Sequence, residues 1–368
     1  MFQFLKSQNL IGLDIGTHTI KAVQLKKTPE QLQLVNLAFL EVPPEIQEEA
    51  DPAVRDELLA RTLKQLFKDN QITAKQVVTA ISGDSVIVRY VKMPHMPEEE
   101  LKNVINYEAE QYIPLAIDQM VLDFEILGEV EEEGAQKLEV LLVAAKEDVI
   151  DQHIHLLQMA GLSPSVIDVD TFALQNAFET NYGRIPDETI SLINVGAKLT
   201  TINILENGVT HLTRDVAVAG NNFTREIQRE FDVTFAQAEE LKNQEGQVLV
   251  ESEDLLQMEI SKKEDNATRI GEAISPVLNK LVAEIQRSFD YYESTIRKKP
   301  ISRIVLSGGA ARLKNLDKYL AEKFNLKVEI NDPFKEILIP DKKFDLDFIQ
   351  RNAQMFNIAV GLALRSPE

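Results

Sequence analysis

Ile11-Gly12-Leu13-Asp14-Ile15-Gly16-Thr17-His18-Thr19-Ile20-Lys21 reads as a short apolar strand ending at Asp14, a glycine turn, and a second strand leaving from Ile20. In that second strand Ile20, Ala22 and Gln24 share one face, and Lys21, Val23 and Leu25 share the other. Such a turn presents successive backbone N–H groups beside an Asp, a Lys and hydroxyls. Amides and an ammonium group suit phosphate oxygens, and a carboxylate suits the water shell of Mg²⁺. Alone, the pattern also fits a plain hairpin, so its reading depends on what accompanies it.

The chain repeats the pattern. Ile193-Asn194-Val195-Gly196-Ala197-Lys198-Leu199-Thr200 is again strand, glycine turn, strand. A third strand follows in each half, over 31–42 and 209–219, the latter announced by the hairpin dipeptide Asn207-Gly208. An amphipathic helix comes next in each half, over 54–67 and 223–231. Two copies of one unit imply two like domains facing each other across a cleft, each offering a phosphate-binding turn. A third piece, Ile304-Val305-Leu306-Ser307-Gly308-Gly309-Ala310-Ala311-Arg312-Leu313, is a strand running into Gly-Gly and a helix. Glycines there permit close approach to a flat ligand, or simply a tight strand-to-helix connection.

In this order the three stretches resemble the phosphate-1, phosphate-2 and adenosine motifs of the actin-like ATPase superfamily. From residue 9 to residue 365 the chain is similar to the PilM family of type IV pilus assembly and to the related FtsA family of cell division. The resemblance implies an α/β, actin-like ATPase fold: two duplicated RNase H-like domains around a nucleotide cleft, with a small inserted α+β subdomain of the FtsA kind. The implied boundaries are subdomain 1A at 1–76 (with 161–186 and 345–368), inserted subdomain 1C at 77–160, subdomain 2A at 187–225 (with 301–344) and subdomain 2B at 226–300.

Composition agrees with a globular chain. Its 368 residues suffice for about two domains at ~150 residues each, and 44% hydrophobic with 27% charged residues is ordinary for a globular protein. A formal charge of −20 argues against nucleic acid as main partner and against direct adhesion to an anionic membrane. There are no cysteines, hence no disulfide, thiolate metal site or cysteine nucleophile. No apolar run approaches the ~20 residues of a spanning helix, and residues 1–10 are too short and polar for a signal peptide. The expected location is cytoplasmic.

Between the first two motifs lies a different pattern. Strands are expected at 77–81 and 86–91, joined by Ser82-Gly83-Asp84-Ser85. Glu98-Glu99-Glu100 open a helix, where negative charge favours an N-terminus, and Ile113-Pro114 stop it. Strands at 121–127 and 138–144 flank an acidic 128–134 turn, and a helix at 149–159 ends at Gly161. The segments 106–114 and 141–146 resemble PilM most specifically, though they carry no recognisable chemistry. His153 and His155 point apart on a helix, which argues against a metal pair. Further on, 244–268 reads as a polar loop, 269–297 as one long helix, and 356–364 as a second interdomain helix. FtsA-like proteins continue into a membrane-binding helix, whereas this chain ends at Glu368, which favours PilM.

The resemblance assigns roles residue by residue. Asp14 would hold the Mg²⁺ water shell, Gly16, Thr17, His18 and Thr19 would contact phosphate, and Lys21 would neutralise the β/γ-phosphates. Asn194, Gly196, Ala197 and Lys198 would form the second phosphate motif. Gly220 and Asn221 resemble the glycine turn beside the nucleotide, and Glu239 and Lys242 the adenosine-contacting helix. An exposed ion pair three residues apart reads equally well for the last two. Gly308 and Gly309 would lie against adenine. Asp170, before the helix expected at 171–182, would position the attacking water or simply cap that helix. His18 either faces the nucleotide or stands in solvent.

One departure stands out: the second motif usually begins with Asp, and here it begins with Asn194. An amide orders water but carries no charge, so slow or absent hydrolysis of bound ATP is expected. The PilM resemblance implies a scaffold that binds the cytoplasmic N-terminal peptide of the inner-membrane protein PilN and links that membrane complex to motor ATPases. The alternatives are an FtsA-like filament protein, revealed by polymer sedimentation, and a sugar or acid kinase, revealed by phosphorylation of a metabolite.

Overall fold

The computed structural model describes residues 10–47, 49–132, 134–250, 265–296 and 299–365. Three strands open the chain, β1 (Ile11–Ile15), β2 (Thr19–Lys27) and β3 (Leu32–Glu41), followed by α1 (Pro44–Gln47) and α2 (Pro52–Asp69). Asp51 caps α2, accepting the Ala53 N–H at 2.9 Å, and Pro52 sits where its missing N–H costs nothing. Next come β4 (Gln76–Ile81), β5 (Val86–Pro94), α3 (Glu98–Ala109), β6 (Met120–Glu132) and β7 (Ala135–Lys146). Then α4 (Glu147–Met159), β8 (Ser163–Val169) and α5 (Asp170–Tyr182) lead to the second half. That half contains β9 (Thr189–Val195), β10 (Thr200–Glu206), β11 (Val209–Val216), α6 (Gly220–Phe231), α7 (Phe235–Glu245), α8 (Asn266–Tyr291), β12 (Arg303–Ser307), α9 (Leu316–Phe324) and β13 (Lys327–Ile330). The chain returns through β14 (Ile337–Leu338), α10 (Leu346–Asn352) and α11 (Asn357–Ala363).

Two sheets carry the duplication. The first runs β14-β3-β2-β1-β4-β8 and the second β11-β10-β9-β12-β13. In each, a strand pairs antiparallel with its hairpin partner on one side and parallel with a later strand on the other, β1 with β2 and β4, β9 with β10 and β12. The two turns match in detail. Gly16 N–H donates to Thr19 O at 3.0 Å, and Gly196 N–H to Leu199 O at 2.9 Å.

Helices α5 and α11 pack together where the two halves meet, and glycine sets their approach. A Cβ on Gly361 would fall 1.8 Å from Ala173 O, and one on Gly12 would fall 2.2 Å from Ala359 O. Arg365 then fixes the end of this layer through a two-pronged pair with the buried Asp168, at 2.6 and 3.0 Å.

The third sheet, β5-β7-β6, packs one face on α3 through Val91, Met93, Leu101, Ile105, Val140 and Leu142. The boundaries expected for the insertion, 77–160, therefore need correction. Strand β4 belongs to the first sheet, between β1 and β8, because its residues are apolar on both faces as a central parallel strand requires. Helix α4 buries Leu156 and Leu157 against Leu63, Leu66 and Phe67 of the first domain. The inserted fold runs from Val86 to Lys146. The return to the first domain also comes earlier than 345, since β14 pairs with β3 and Asn181 holds Pro333 O at 2.8 Å.

Smaller differences follow from local chemistry. The acidic 128–134 stretch is largely strand, with a bulge between Ile126 and Gly128, because Lys92 and Lys137 both pair with Glu132. Helix α3 ends at Ala109, before Ile113-Pro114. Helix α8 gives way to a π-turn at Tyr292–Ile296. The loop expected at 244–268 falls mostly outside the described residues; within them, Gln247 bridges to Lys314 and Val248 and Val250 are buried.

Candidate functional site

A cleft of about 340 Å³ opens between the two sheets, and every residue to which the resemblance gave a role lines it. From the first domain come the β1–β2 turn residues. Lys21 Nζ lies 2.8 Å from Asp14 Oδ2, the two facing each other across the β1–β2 ladder. A Cβ on Gly16 would sit 2.9 Å from Thr19 O, so the tight turn needs glycine. Thr19 is buried and Thr17 exposed. His18 is half-buried, with Nδ1 3.5 Å from Gln47 Oε1 and Nε2 3.8 Å from Glu239 Oε1 across the cleft.

The second domain supplies the matching turn. Asn194 Oδ1 accepts the Ser307 hydroxyl at 3.2 Å. Gly196 and Ala197 carbonyls accept the N–H groups of Gly220 and Asn221, at 2.9 and 2.7 Å, tying the first turn of α6 to the hairpin. Lys198 is exposed at the rim. Helix α6 starts at Gly220 rather than at 223, because the Asn222 carboxamide accepts the Ala219 N–H at 2.9 Å and closes its first turn.

Glu239 and Lys242 form an ion pair of 2.6 Å, but not an exposed one, their side chains being only 13% and 10% accessible. Thr224 Oγ1 donates to Glu239 at 2.5 Å, and Lys242 Nζ donates to Thr224 Oγ1 at 2.9 Å. Burial pushes the Glu239 carboxyl up, yet the Lys242 ammonium and the Thr224 hydroxyl hold it below the usual carboxylate range. Burial in turn lowers Lys242, against the pull of Glu239.

Gly308 has φ +94°, and a Cβ there would lie 2.4 Å from Val195 O. Beside it, a Cβ on Gly309 would meet only the Met355 methyl at 3.7 Å, leaving a flat open wall.

Asp170 is the first residue of α5, not its cap; Val169 occupies the cap position with no side-chain bond. Burial first, then the Asp14 charge, push the Asp170 carboxyl up to about 8; a hydrogen bond with Ser82 and the Lys21 charge oppose this, and Asp215 adds to the rise. Near neutral pH the group therefore holds its proton and is a hydrogen-bond donor rather than a base.

The sequence reading missed several lining residues, among them Glu41, Ser82, His153, Thr201, Asn243 and Arg312. His153 Nε2 lies 3.0 Å from Thr79 Oγ1, and burial lowers its pKa. Thr201 was legible by counting: it follows Asn194 by the same seven positions that separate Lys21 from Asp14. Among the described residues no cluster of three or more His, Cys, Asp or Glu could hold a metal.

A family profile described as "Type IV pilus assembly protein PilM" matches residues 12–367. The chain belongs to the PilM family. A chain from the solved "PilM-PilN type IV pilus biogenesis complex" is 29% identical with a TM-score of 0.83, covering 98% of this chain and 99% of that one. MreB5 of Spiroplasma citri, solved bound to AMPPNP, is similar at 14% identity and TM-score 0.50, over 96% of this chain and 94% of that one, a likeness of fold alone. Cell division protein FtsA of Bacillus subtilis (strain 168) is 21% identical over 263 residues, 64% of this chain. The chain spans 58% of the length of that FtsA. Two like domains, three nucleotide-type motifs and these likenesses make this the actin-like ATPase fold. Among the described residues of this PilM-family chain no helix is long and apolar enough to cross a membrane.

Proposed function

We propose that this PilM-family protein is an ATP-binding scaffold of type IV pilus assembly that takes up the cytoplasmic N-terminal peptide of PilN. It works in the cytoplasm, recruited to the inner-membrane face through that peptide, and connects the membrane complex to the pilus motor ATPases. The observation that carries the reading is the likeness over 98% of the chain to a chain solved in a PilM–PilN complex.

The cleft fits Mg²⁺-ATP on its own chemistry. Two glycine turns face each other, a Lys–Asp pair stands on one of them, and Gly309 offers a wall without a side chain. Bound Mg²⁺-ATP would supply a polyphosphate anion with its metal and a flat base. Lys21 would shift from Asp14 towards phosphate oxygens, freeing that carboxylate for the metal's water shell. Gly16, Thr17, His18 and Thr19 would line the first turn, and Gly196, Ala197 and Lys198 the second. Glu239, Lys242, Gly220 and Asn221 would border the sugar, and Gly308 and Gly309 the base. Asn194 brings no charge to the metal, and Asp170 keeps its proton, so both groups that would activate water are muted. ATP is thus held more than consumed, and it acts by shifting the cleft between conformations of different partner affinity.

Calorimetric titration of a PilN N-terminal peptide into the protein, with and without Mg²⁺-ATP, tests the partner. Saturable binding that changes with nucleotide is expected. Equal absence of binding in both conditions would overturn the reading.

A further inference from the structure

The inserted sheet does not stand free of the second domain. Its outer strand β5 lies beside β11, the edge strand of the second sheet. Along β5, the Tyr90 ring packs obliquely on His211, with ring centres 6.2 Å apart. At the root of β5, Gly83 N–H donates to Asp215 Oδ2 at 2.7 Å.

Asp215 has a second partner. Its other oxygen accepts Thr201 Oγ1 at 2.7 Å, across the β10–β11 ladder where the two residues face each other. Thr201 lines the cleft on the hairpin of Asn194 and Gly196, whereas Asp215, its cross-strand partner, is not part of the lining. One carboxylate thus receives the phosphate hairpin on one oxygen and the connector of the inserted subdomain on the other. Charge-assisted bonds of this kind are short and directional, so they transmit displacement well.

The connector leaves β4 of the first domain and touches the second. Ser82 lines the cleft together with Asp170 of the first domain. Gly83 has φ +76°, and a Cβ there would come 3.0 Å from Leu199 Cδ1, in the turn of the same phosphate hairpin. Neither the backbone conformation nor the space admits a side chain there without displacement.

We propose that Asp215 is a latch that couples the second phosphate-binding hairpin to the inserted subdomain, so that anion capture at the hairpin resets the seat of the three-stranded sheet. The nature of the anion rests on the nucleotide reading above; the latch does not. When the hairpin closes on phosphate, Thr201 and Leu199 move with it as one two-stranded unit. Asp215 and Gly83 follow, and β5 with its sheet turns about the 82–85 connector. The inserted subdomain would thereby sense the cleft without touching the ligand.

Absence of cysteine makes the test direct. Glu131→Cys on β6 and Ala236→Cys on α7 are both exposed positions for a pair of spin labels. Distance distributions between them are recorded with and without Mg²⁺-ATP, in the parent and with Asp215→Ala or Gly83→Ala added. Bound nucleotide is counted in the same samples. Without nucleotide, both variants are expected to broaden and shift the distribution. With Mg²⁺-ATP, the parent is expected to shift and the variants to lose that shift. Variant distributions identical to the parent's without nucleotide overturn the latch, whatever nucleotide does. A parent that binds ATP without any change in distance overturns the coupling while leaving ATP binding intact. A parent that binds no ATP overturns the nucleotide reading, and the nucleotide-free comparison then decides the latch alone. If Asp215→Ala does not fold, Gly83→Ala carries the same readouts.

Discussion

Lys21 Nζ lies 2.8 Å from Asp14 Oδ2 at the head of the first hairpin, and the equivalent positions of the second hairpin, Asn194 and Thr201, hold no charge. The duplicated scaffold therefore carries an asymmetric site. At the heads of the two hairpins, one position pair holds a cation and an anion ready for exchange, and the other an amide and a hydroxyl.

Lys21 is expected to dominate phosphate binding. It is 7% exposed and has no competing solvent shell, whereas Lys198 at the facing turn is exposed. Lys21→Ala is expected to weaken Mg²⁺-ATP binding about 100-fold, roughly 2.8 kcal/mol, and Lys198→Ala less than about 10-fold. Titration with a fluorescent ATP analogue at fixed salt checks the order.

A carboxylate at the head of the second hairpin is expected to raise turnover. Asn194→Asp places a carboxylate opposite Asp14 where the amide now accepts Ser307. Steady-state phosphate release is expected to rise at least about tenfold, which corresponds to ~1.4 kcal/mol of barrier. An unchanged rate would show that Asn194 is not what limits hydrolysis.

Asp170 gives a pH-dependent stability with a defined sign. Its carboxyl titrates near 8 in the fold and near ~3.9 in the unfolded chain. Between those values the folded state binds the extra proton, so its contribution to stability falls as pH rises through that window. Asp170→Asn removes the term. The variant is expected to be more stable than the parent by about 3 kcal/mol at pH 8, roughly half the full linkage because the group borders an open cleft. The difference should vanish towards pH 4. Denaturant unfolding of both proteins across that range measures it.

Gly361 is expected to be intolerant of change. A methyl there would lie 1.8 Å from the Ala173 carbonyl oxygen, which neither backbone relieves without separating α5 from α11. Gly361→Ala is expected to cost about 3 kcal/mol or more and to lower the melting temperature. Calorimetric melting alongside Gly134→Ala, where a Cβ meets nothing but φ is +78°, separates clash from backbone strain.

Much of this arrangement was legible in the chain because it is local. The two hairpins, their glycines and the Asn194 departure are short-range patterns, and residues from Asp14 to Lys242 and Gly308 line one cleft. What escaped depends on long-range pairing. Strand β4 and helix α4 sit next to the inserted sheet in sequence but pack in the first domain, and only the pairing of β4 with β1 and β8 reveals it. The ionisation of Asp170 escaped too, since it comes from burial beside Asp14 and not from its position at a helix start. Asp215 gave no sequence signal, because its role arises from a contact with Gly83 across 132 positions of chain.

The most direct test of the central claim is a single-turnover experiment with limiting radiolabelled Mg²⁺-ATP and excess protein, scoring bound nucleotide and released phosphate in the same samples, with and without the PilN peptide. ATP that is bound and stays intact is the expected result, and it would match a held nucleotide in a cleft whose second hairpin begins with an amide instead of a carboxylate. Prompt phosphate release would contradict it, and would mean that another group in the cleft replaces the carboxylate missing at Asn194.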